Sequence, residues 1–382
     1  MKPTVLLIST DVHTIPTLKG AAVEHWIHQV ARHLHEFQPV IVSPPHPKFP
    51  DSQFMDGIYF ERIRIGNIYK RAFQKITRLD PFPYIFRAIR KVRSYQPKII
   101  HIHNAPHHVS ELRHSFPDAK LILHMHNAKK LEIFAPADAY IACSRYIADS
   151  MQPQLESGQR FRIIPNGVDT NAFTPCSFQY RSELKKKYSI PANKINILFV
   201  GRISPEKGVD ILVEAMHKLD QNRFHLTVSG EWSKGDPRLN ERASHAAQVA
   251  KRLHGLSYTL LDVRPPELMP EIYQTGDLMV IPSRHEPFSM VAIEGMSSRI
   301  PVLAFSVGGM VEFMRDGKNA FLIPPVASYD EMAQAIQYYA QLPEEQLANI
   351  TTRARADVLD YYTWSRIAEE TETLYQNLLT TT

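Results

Sequence analysis

Two cysteines in 382 residues, Cys143 and Cys176, are too few for a disulfide framework, and they suit a reducing cytoplasm. Long hydrophobic runs are also missing. No stretch approaches the roughly 20 apolar residues that a helix needs to cross a bilayer. The amino-terminal run at 5–9 is too short for a signal peptide and reads as a first buried strand. There is no Gly-x-Gly-x-x-Gly and no Walker A loop, so hydride transfer and phosphotransfer lack their usual equipment. No fixed period signals a solenoid or a propeller.

Charge of one sign is only mildly scarce. Lysine and arginine number 44 against 39 acids, a formal charge of +5. Such an excess suits anionic ligands or an anionic membrane surface; no nucleic-acid partner is expected. The excess is concentrated at 69–98. Nine basic residues there (Lys70, Arg71, Lys75, Arg78, Arg87, Arg90, Lys91, Arg93 and Lys98) face a single acid, Asp80, and are interleaved with aromatic and aliphatic residues. Such a mixture can lie on an anionic bilayer. It fits equally well a pair of helices whose apolar residues face a core and whose cations are solvated.

What the chain has in quantity is alternation. Short apolar runs at 5–9, 40–43, 99–102, 121–125, 139–143, 195–201, 225–229, 278–281 and 302–305 predict buried strands. Amphipathic stretches at 22–36, 144–156, 209–219, 266–275 and 290–298 predict helices between them. Alternation of this kind means parallel sheets covered on both faces. The strands are too many for one such sheet in a small domain, so two doubly wound α/β domains are expected, with a seam near 165–193. The predicted division is 1–170, 171–362 and a last helix in 363–382 that returns to the first domain. Ligands of such sheets bind beyond the carboxyl ends of the strands.

The residues after the strands carry the chemistry. Pro282-Ser283-Arg284-His285-Glu286-Pro287-Phe288-Ser289-Met290 leads from a strand into a helix predicted to begin near Pro287 or Phe288, with Glu294 about two turns inside it. Free backbone N–H groups at a helix start attract anions and hydroxyls. Carboxylates accept paired hydrogen bonds from vicinal hydroxyls. Taken alone, the two glutamates fit a capping acid and a helix-surface acid better. Gly201-Arg202-Ile203-Ser204-Pro205-Glu206-Lys207-Gly208 sets two cations between a strand and a helix, where a pyrophosphate could be neutralised without metal.

Together these motifs resemble retaining glycosyltransferases of the GT-B fold, and in particular glycosyltransferase family 4. The likeness extends over nearly the whole chain. It is strongest to bacterial polysaccharide and spore-coat-associated members. The resemblance implies two Rossmann-like domains facing across a cleft, the first binding the acceptor and the second a nucleotide sugar. It assigns Glu286 to the donor sugar and Glu294 to the ribose. The amides of Phe288, Ser289 and Met290 would hold sugar and phosphate, and Arg202 and Lys207 the diphosphate. Family members usually have Gly-Phe-Gly where this chain has Pro287-Phe288-Ser289. Gly20, after the first strand, stands where the family has a Gly-Gly pair at the donor phosphate. Val263 and Arg264 correspond to the loop at the base. His126 occupies the place of a histidine near the reacting sugar and is expected to act in the active site by hydrogen bonding. Asn166-Gly167 reads as a hinge turn.

Same-face histidine pairs, His101 with His103 and His124 with His126, could bind zinc. No cysteine or acid stands at ligand spacing, and the metal-holding Asp-x-Asp triplet is absent. No metal and no cofactor is expected beyond the nucleotide sugar itself. The implied activity is transfer of a hexose or N-acetylhexosamine, from a UDP-sugar or, as the second choice, a GDP-sugar, to a glycan, lipid-linked or small-molecule acceptor. The expected place is the cytoplasm, with peripheral contact at the inner face of the membrane through 69–98. The alternatives are a nucleotide-sugar epimerase on the same fold and a non-catalytic coat protein that retains it.

Overall fold

The computed structural model describes residues 2–18, 20–64, 83–131, 136–232, 240–262, 264–325 and 328–380. The chain divides into two compact units, one of Met1–Asn166 with Trp364–Thr382 and one of Gly167–Thr363.

The first unit is built on eight strands: β1 (Thr4–Ile8), β2 (Gln38–Ser43), β3 (Ser52–Met55), β4 (Ile58–Arg62), β5 (Ile99–His103), β6 (Lys120–Met125), β7 (Ala139–Ala142) and β8 (Phe161–Ile163). They lie in the order β3-β4-β2-β1-β5-β6-β7-β8. All neighbours are parallel except β3 and β4. The continuous apolar run of β1 follows from that place, because Val5, Leu6, Leu7 and Ile8 are all fully buried in the middle of the sheet.

The β3–β4 hairpin was not predicted. Its signal is present in the sequence: Asp56-Gly57 joins the two strands with both residues at positive φ (51° and 77°), the turn that a two-residue hairpin prefers. The carboxyl-terminal helix Trp364–Thr380 packs on the helix Ala22–His33 of the same unit. Glu372 accepts hydrogen bonds from the backbone of His35 and Glu36 (2.9 and 2.6 Å), satisfying donors just past that helix.

The second unit has six parallel strands: β9 (Ile195–Val200), β10 (Phe224–Ser229), β11 (Tyr258–Leu261), β12 (Leu278–Ile281), β13 (Val302–Phe305) and β14 (Phe321–Ile323). Their order is β11-β10-β9-β12-β13-β14. This is the doubly wound arrangement in which strand order reverses between the first and fourth strands, here β9 and β12. The crevice beyond the carboxyl ends of that pair is where the fold leaves room for a ligand. The helix Val209–Met216 buries Val209, Ile211, Leu212, Val213, Ala215 and Met216, covering one face of the sheet.

The predicted helix start at Pro287 or Phe288 is corrected. The helix runs Met290–Ser297, and Ser289 is its N-cap, at φ 89° and ψ 87°. A residue in that left-handed conformation cannot continue a helix backwards. Glu294 therefore lies about one turn inside the helix, not two.

Candidate active site

In the second unit, the loops after β9 and β12 meet at the reversal of strand order. After β9, Gly201 and Arg202 lead into a single 3-10 turn, Pro205–Lys207, and Gly208 turns left-handed (φ 66°) before the helix Val209–Met216. A Cβ on Gly208 would lie 1.9 Å from the carbonyl oxygen of Pro282, so only glycine lets the two loops close. Gly308, after β13, makes the same approach to the carbonyl of Glu286, 1.9 Å from a Cβ built there. Gly309 N–H then donates to that carbonyl at 3.0 Å.

The closed loops bring Lys207 and Glu286 together. The Lys207 amine donates to Glu286 Oε2 at 2.5 Å, and Ser283 Oγ–H donates to the same oxygen at 3.2 Å. Glu286 is buried, and the Lys207 side chain is about four-fifths covered. A buried carboxylate needs such a partner. Arg202 is exposed and faces Glu206 at 3.6 Å, a surface contact of little strength that does not bind it in place.

Arg284, inside the motif but given no role from sequence, ties the loops to each other. Its guanidinium forks onto both carboxylate oxygens of Asp210 (2.9 and 2.7 Å) and donates to Pro205 O at 2.6 Å, while its N–H donates to Glu206 O at 2.9 Å. Burial alone would raise the Asp210 carboxyl, but the Arg284 fork and the nearby His245 hold it below its ordinary value.

Phe288 is buried, with its ring 5.1 Å from Phe313 and 5.8 Å from Tyr362. It anchors the loop that carries the amides of Ser289 and Met290. The family resemblance puts glycine at the place of Ser289, and a side chain at positive φ costs about 1–2 kcal/mol. The serine hydroxyl offsets part of this by accepting from Ala292 N–H at 3.3 Å, a helix cap that glycine could not supply. Glu294 accepts a hydrogen bond from the Tyr273 hydroxyl. Burial pushes its carboxyl up to about 7, with the Tyr273 bond opposing the shift.

The remaining residues that the resemblance assigns to the donor are less tightly placed. Gly20 is exposed, and a Cβ there would meet nothing within 4 Å, so no close approach requires glycine. Arg264 is half-buried, and no group among the described residues partners its Nε. Val263 lies outside the described residues, as does 69–82 of the basic segment. Within the described remainder, the helix Tyr84–Val92 buries Tyr84, Ile85, Ala88, Ile89 and Val92 and exposes Phe86 (55%) and Arg90. Lys91 faces Glu61 at 3.4 Å.

His126, just past β6 in the first unit, belongs to a column of four buried histidines. Register pairs His103 with His124 across β5 and β6. The His103 and His126 rings are joined Nδ1 to Nε2 at 3.1 Å, and His101 Nδ1 meets the Tyr375 hydroxyl at 2.6 Å. His126 N–H donates to Asn104 Oδ1 at 2.8 Å. Trp26, unforeseen from sequence, covers all four rings at centroid distances of 4.7–6.0 Å. Burial drives all four imidazoles to the neutral form; His126 falls to about 3, against the opposing pull of Asn166.

Nitrogens of His101, His103 and His124 come within 4.8 Å of one another, close enough to suggest a metal.

Comparison with known proteins agrees with this geometry. The family model "Glycosyltransferase Family 4" matches residues 23–172, and "Glycosyl transferases group 1" matches 180–357. The chain is 30% identical to the lipopolysaccharide 1,2-N-acetylglucosaminetransferase of Salmonella typhimurium, over 98% of both chains. It is 23% identical to spore coat protein SA of Bacillus subtilis, over 97% of this chain and 99% of that one. Among solved structures it resembles sucrose-phosphate synthase from Thermosynechococcus elongatus (TM-score 0.80, 21% identity, 100% of both chains). It also resembles Anabaena HepE in complex with UDP-glucose (TM-score 0.77, 19% identity, 97% and 99% covered). Two doubly wound units, the paired loops at the second unit's crevice and an end-to-end relative at this identity place the chain in glycosyltransferase family 4, as a glycosyltransferase of the GT-B fold.

Proposed function

We propose that this enzyme transfers a hexose or N-acetylhexosamine from a UDP-sugar to a glycan or lipid-linked acceptor, with retention of anomeric configuration and without a metal. The observation that carries the reading is the Lys207–Glu286 contact, a lysine beside a buried acid at the strand-order reversal, which supports a phosphate role for the first and a sugar role for the second. Two relatives support the finer assignment: one transfers N-acetylglucosamine, and the structure of the other contains UDP-glucose.

In this reading Lys207 and Arg202 neutralise the leaving diphosphate. Glu286 and the Phe288–Met290 amides hold the sugar. Glu294 accepts from the ribose hydroxyls, with Arg264 at the base. His126 hydrogen-bonds near the reacting sugar. No residue is assigned as a covalent nucleophile.

Calorimetry with UDP is the test. Arg202→Ala and Lys207→Ala should each weaken binding by roughly 1.5–3 kcal/mol, the worth of a hydrogen bond to a charged group. Excess chelator should change neither binding nor turnover. Unchanged UDP affinity in both variants, or turnover lost to chelator and restored by magnesium, overturns the reading.

The reaction is further proposed to occur on the cytoplasmic side, beside an anionic membrane. No helix among the described residues is long and apolar enough to span one; the contact proposed is peripheral, through the basic segment. Sedimentation with anionic liposomes should show salt-sensitive binding that disappears on reversing the charge of Arg87, Arg90 and Lys91. Absence of binding at low salt removes the membrane from the proposal.

A further inference from the structure

The acid assigned to the ribose is held by a residue that no motif contains. Tyr273, on the helix Met269–Gln274, is fully buried. Its hydroxyl donates to Glu294 Oε2 on the helix Met290–Ser297. No described residue donates to Oε1. The tyrosine is itself fixed. Phe173 meets its ring edge-on at 5.1 Å and 86°. The same stretch of chain is bonded to both helices: Ser297 Oγ–H donates to Phe173 O at 2.6 Å, and Gln274 Nε2 donates to Thr174 O at 2.9 Å. The bond thus joins two helices whose spacing is set independently of it.

We propose that Tyr273 is a positioning residue for the donor site, turning and holding Glu294 so that Oε1 stays available to the vicinal hydroxyls of the nucleotide ribose. The proposal rests on the assignment of Glu294 to the ribose. A carboxylate that must accept two hydroxyls works best ionised and in one rotamer. Burial works against ionisation at this position, and the tyrosine bond works for it. The Tyr273 hydroxyl is the side-chain donor that opposes the effect of burial on Glu294.

The sign of the pH dependence follows. In the free enzyme the Glu294 carboxyl is neutral below about 7. Its protonation stabilises the fold at low pH, and that contribution is lost as pH rises through the same range. Nucleotide binding, which needs the carboxylate, should instead strengthen as pH rises through it.

The experiment is UDP affinity measured by calorimetry from about pH 6 to about pH 9 on the wild type, Tyr273→Phe and Glu294→Gln. Tyr273→Phe should weaken binding roughly tenfold near neutrality, move the midpoint up by about one pH unit and recover most of the loss at the alkaline end. Replacing Tyr273 by 3-fluorotyrosine keeps the packing and strengthens the donor, so the midpoint should move down. This second variant keeps the test decisive if the phenylalanine variant folds poorly.

Glu294→Gln should bind weakly with a flat pH profile. If it binds like the wild type, the ribose assignment fails. If it weakens binding while both tyrosine variants superimpose on the wild-type profile, the ribose assignment stands and the role of Tyr273 is refuted.

Discussion

Glu286→Ala will lower kcat by about 100- to 1,000-fold, the usual cost of removing one preorganised transition-state contact, and will not weaken UDP binding. The two effects separate because of the Lys207–Glu286 pair. In the free enzyme the Lys207 amine is committed to Glu286 Oε2 at 2.5 Å. Removing the carboxylate releases that amine to the diphosphate, so nucleotide affinity holds or improves while the sugar loses its acid. Glu294→Ala should show the opposite split, losing UDP affinity first. Steady-state kinetics beside calorimetry read both variants. A collapse of UDP affinity in Glu286→Ala with kcat retained would reverse the two roles.

Gly208→Ala will disable the site by a steric route. The residue is left-handed (φ 66°), and its Cβ would stand 1.9 Å from Pro282 O and 2.9 Å from Pro282 C, both backbone atoms that cannot swing aside. The left-handed backbone and the overpacking together should cost roughly 2–5 kcal/mol of unfolding free energy. The part relieved by opening the loops should remove turnover, since Lys207 and Glu286 sit on those loops. Gly317→Ala separates the two contributions. It has the same φ, 66°, but its Cβ would meet nothing within 4 Å, so it should show the backbone cost alone and keep activity. Denaturant unfolding of both variants measures the difference. Equal destabilisation would mean that the approach to Pro282 is not what requires glycine.

Much of this architecture is legible in the chain because local composition reports burial. Runs such as Leu278–Ile281 and Val302–Phe305 are apolar on both sides since helices cover both faces of a parallel sheet. The shorter strands were harder to see. Phe161–Ile163 and Tyr258–Leu261 lie outside the strongest part of their sheets and keep polar or exposed positions, which breaks the run. The start of the helix after Glu286 was misjudged for a related reason. Proline suits a first helical turn, but Ser289 in the left-handed region delays that turn to Met290.

The motif residues were readable as a set because each follows a strand, and strand ends line the crevice of a doubly wound sheet. That much the sequence determined by itself: two α/β halves, a pair of cations, a pair of acids, and their family. The tertiary structure decided what each of those groups faces. Lys207 meets Glu286 across 79 residues, and Arg284 meets Asp210 across 74. Tyr273 comes to Glu294 from another helix, and four histidines gather under Trp26 because β5 lies beside β6 and the helix Ala22–His33 packs over both. Spacing along a chain fixes which face of an element a residue shares. Which element lies opposite is set by strand order and helix packing, through long-range contacts that no local pattern encodes.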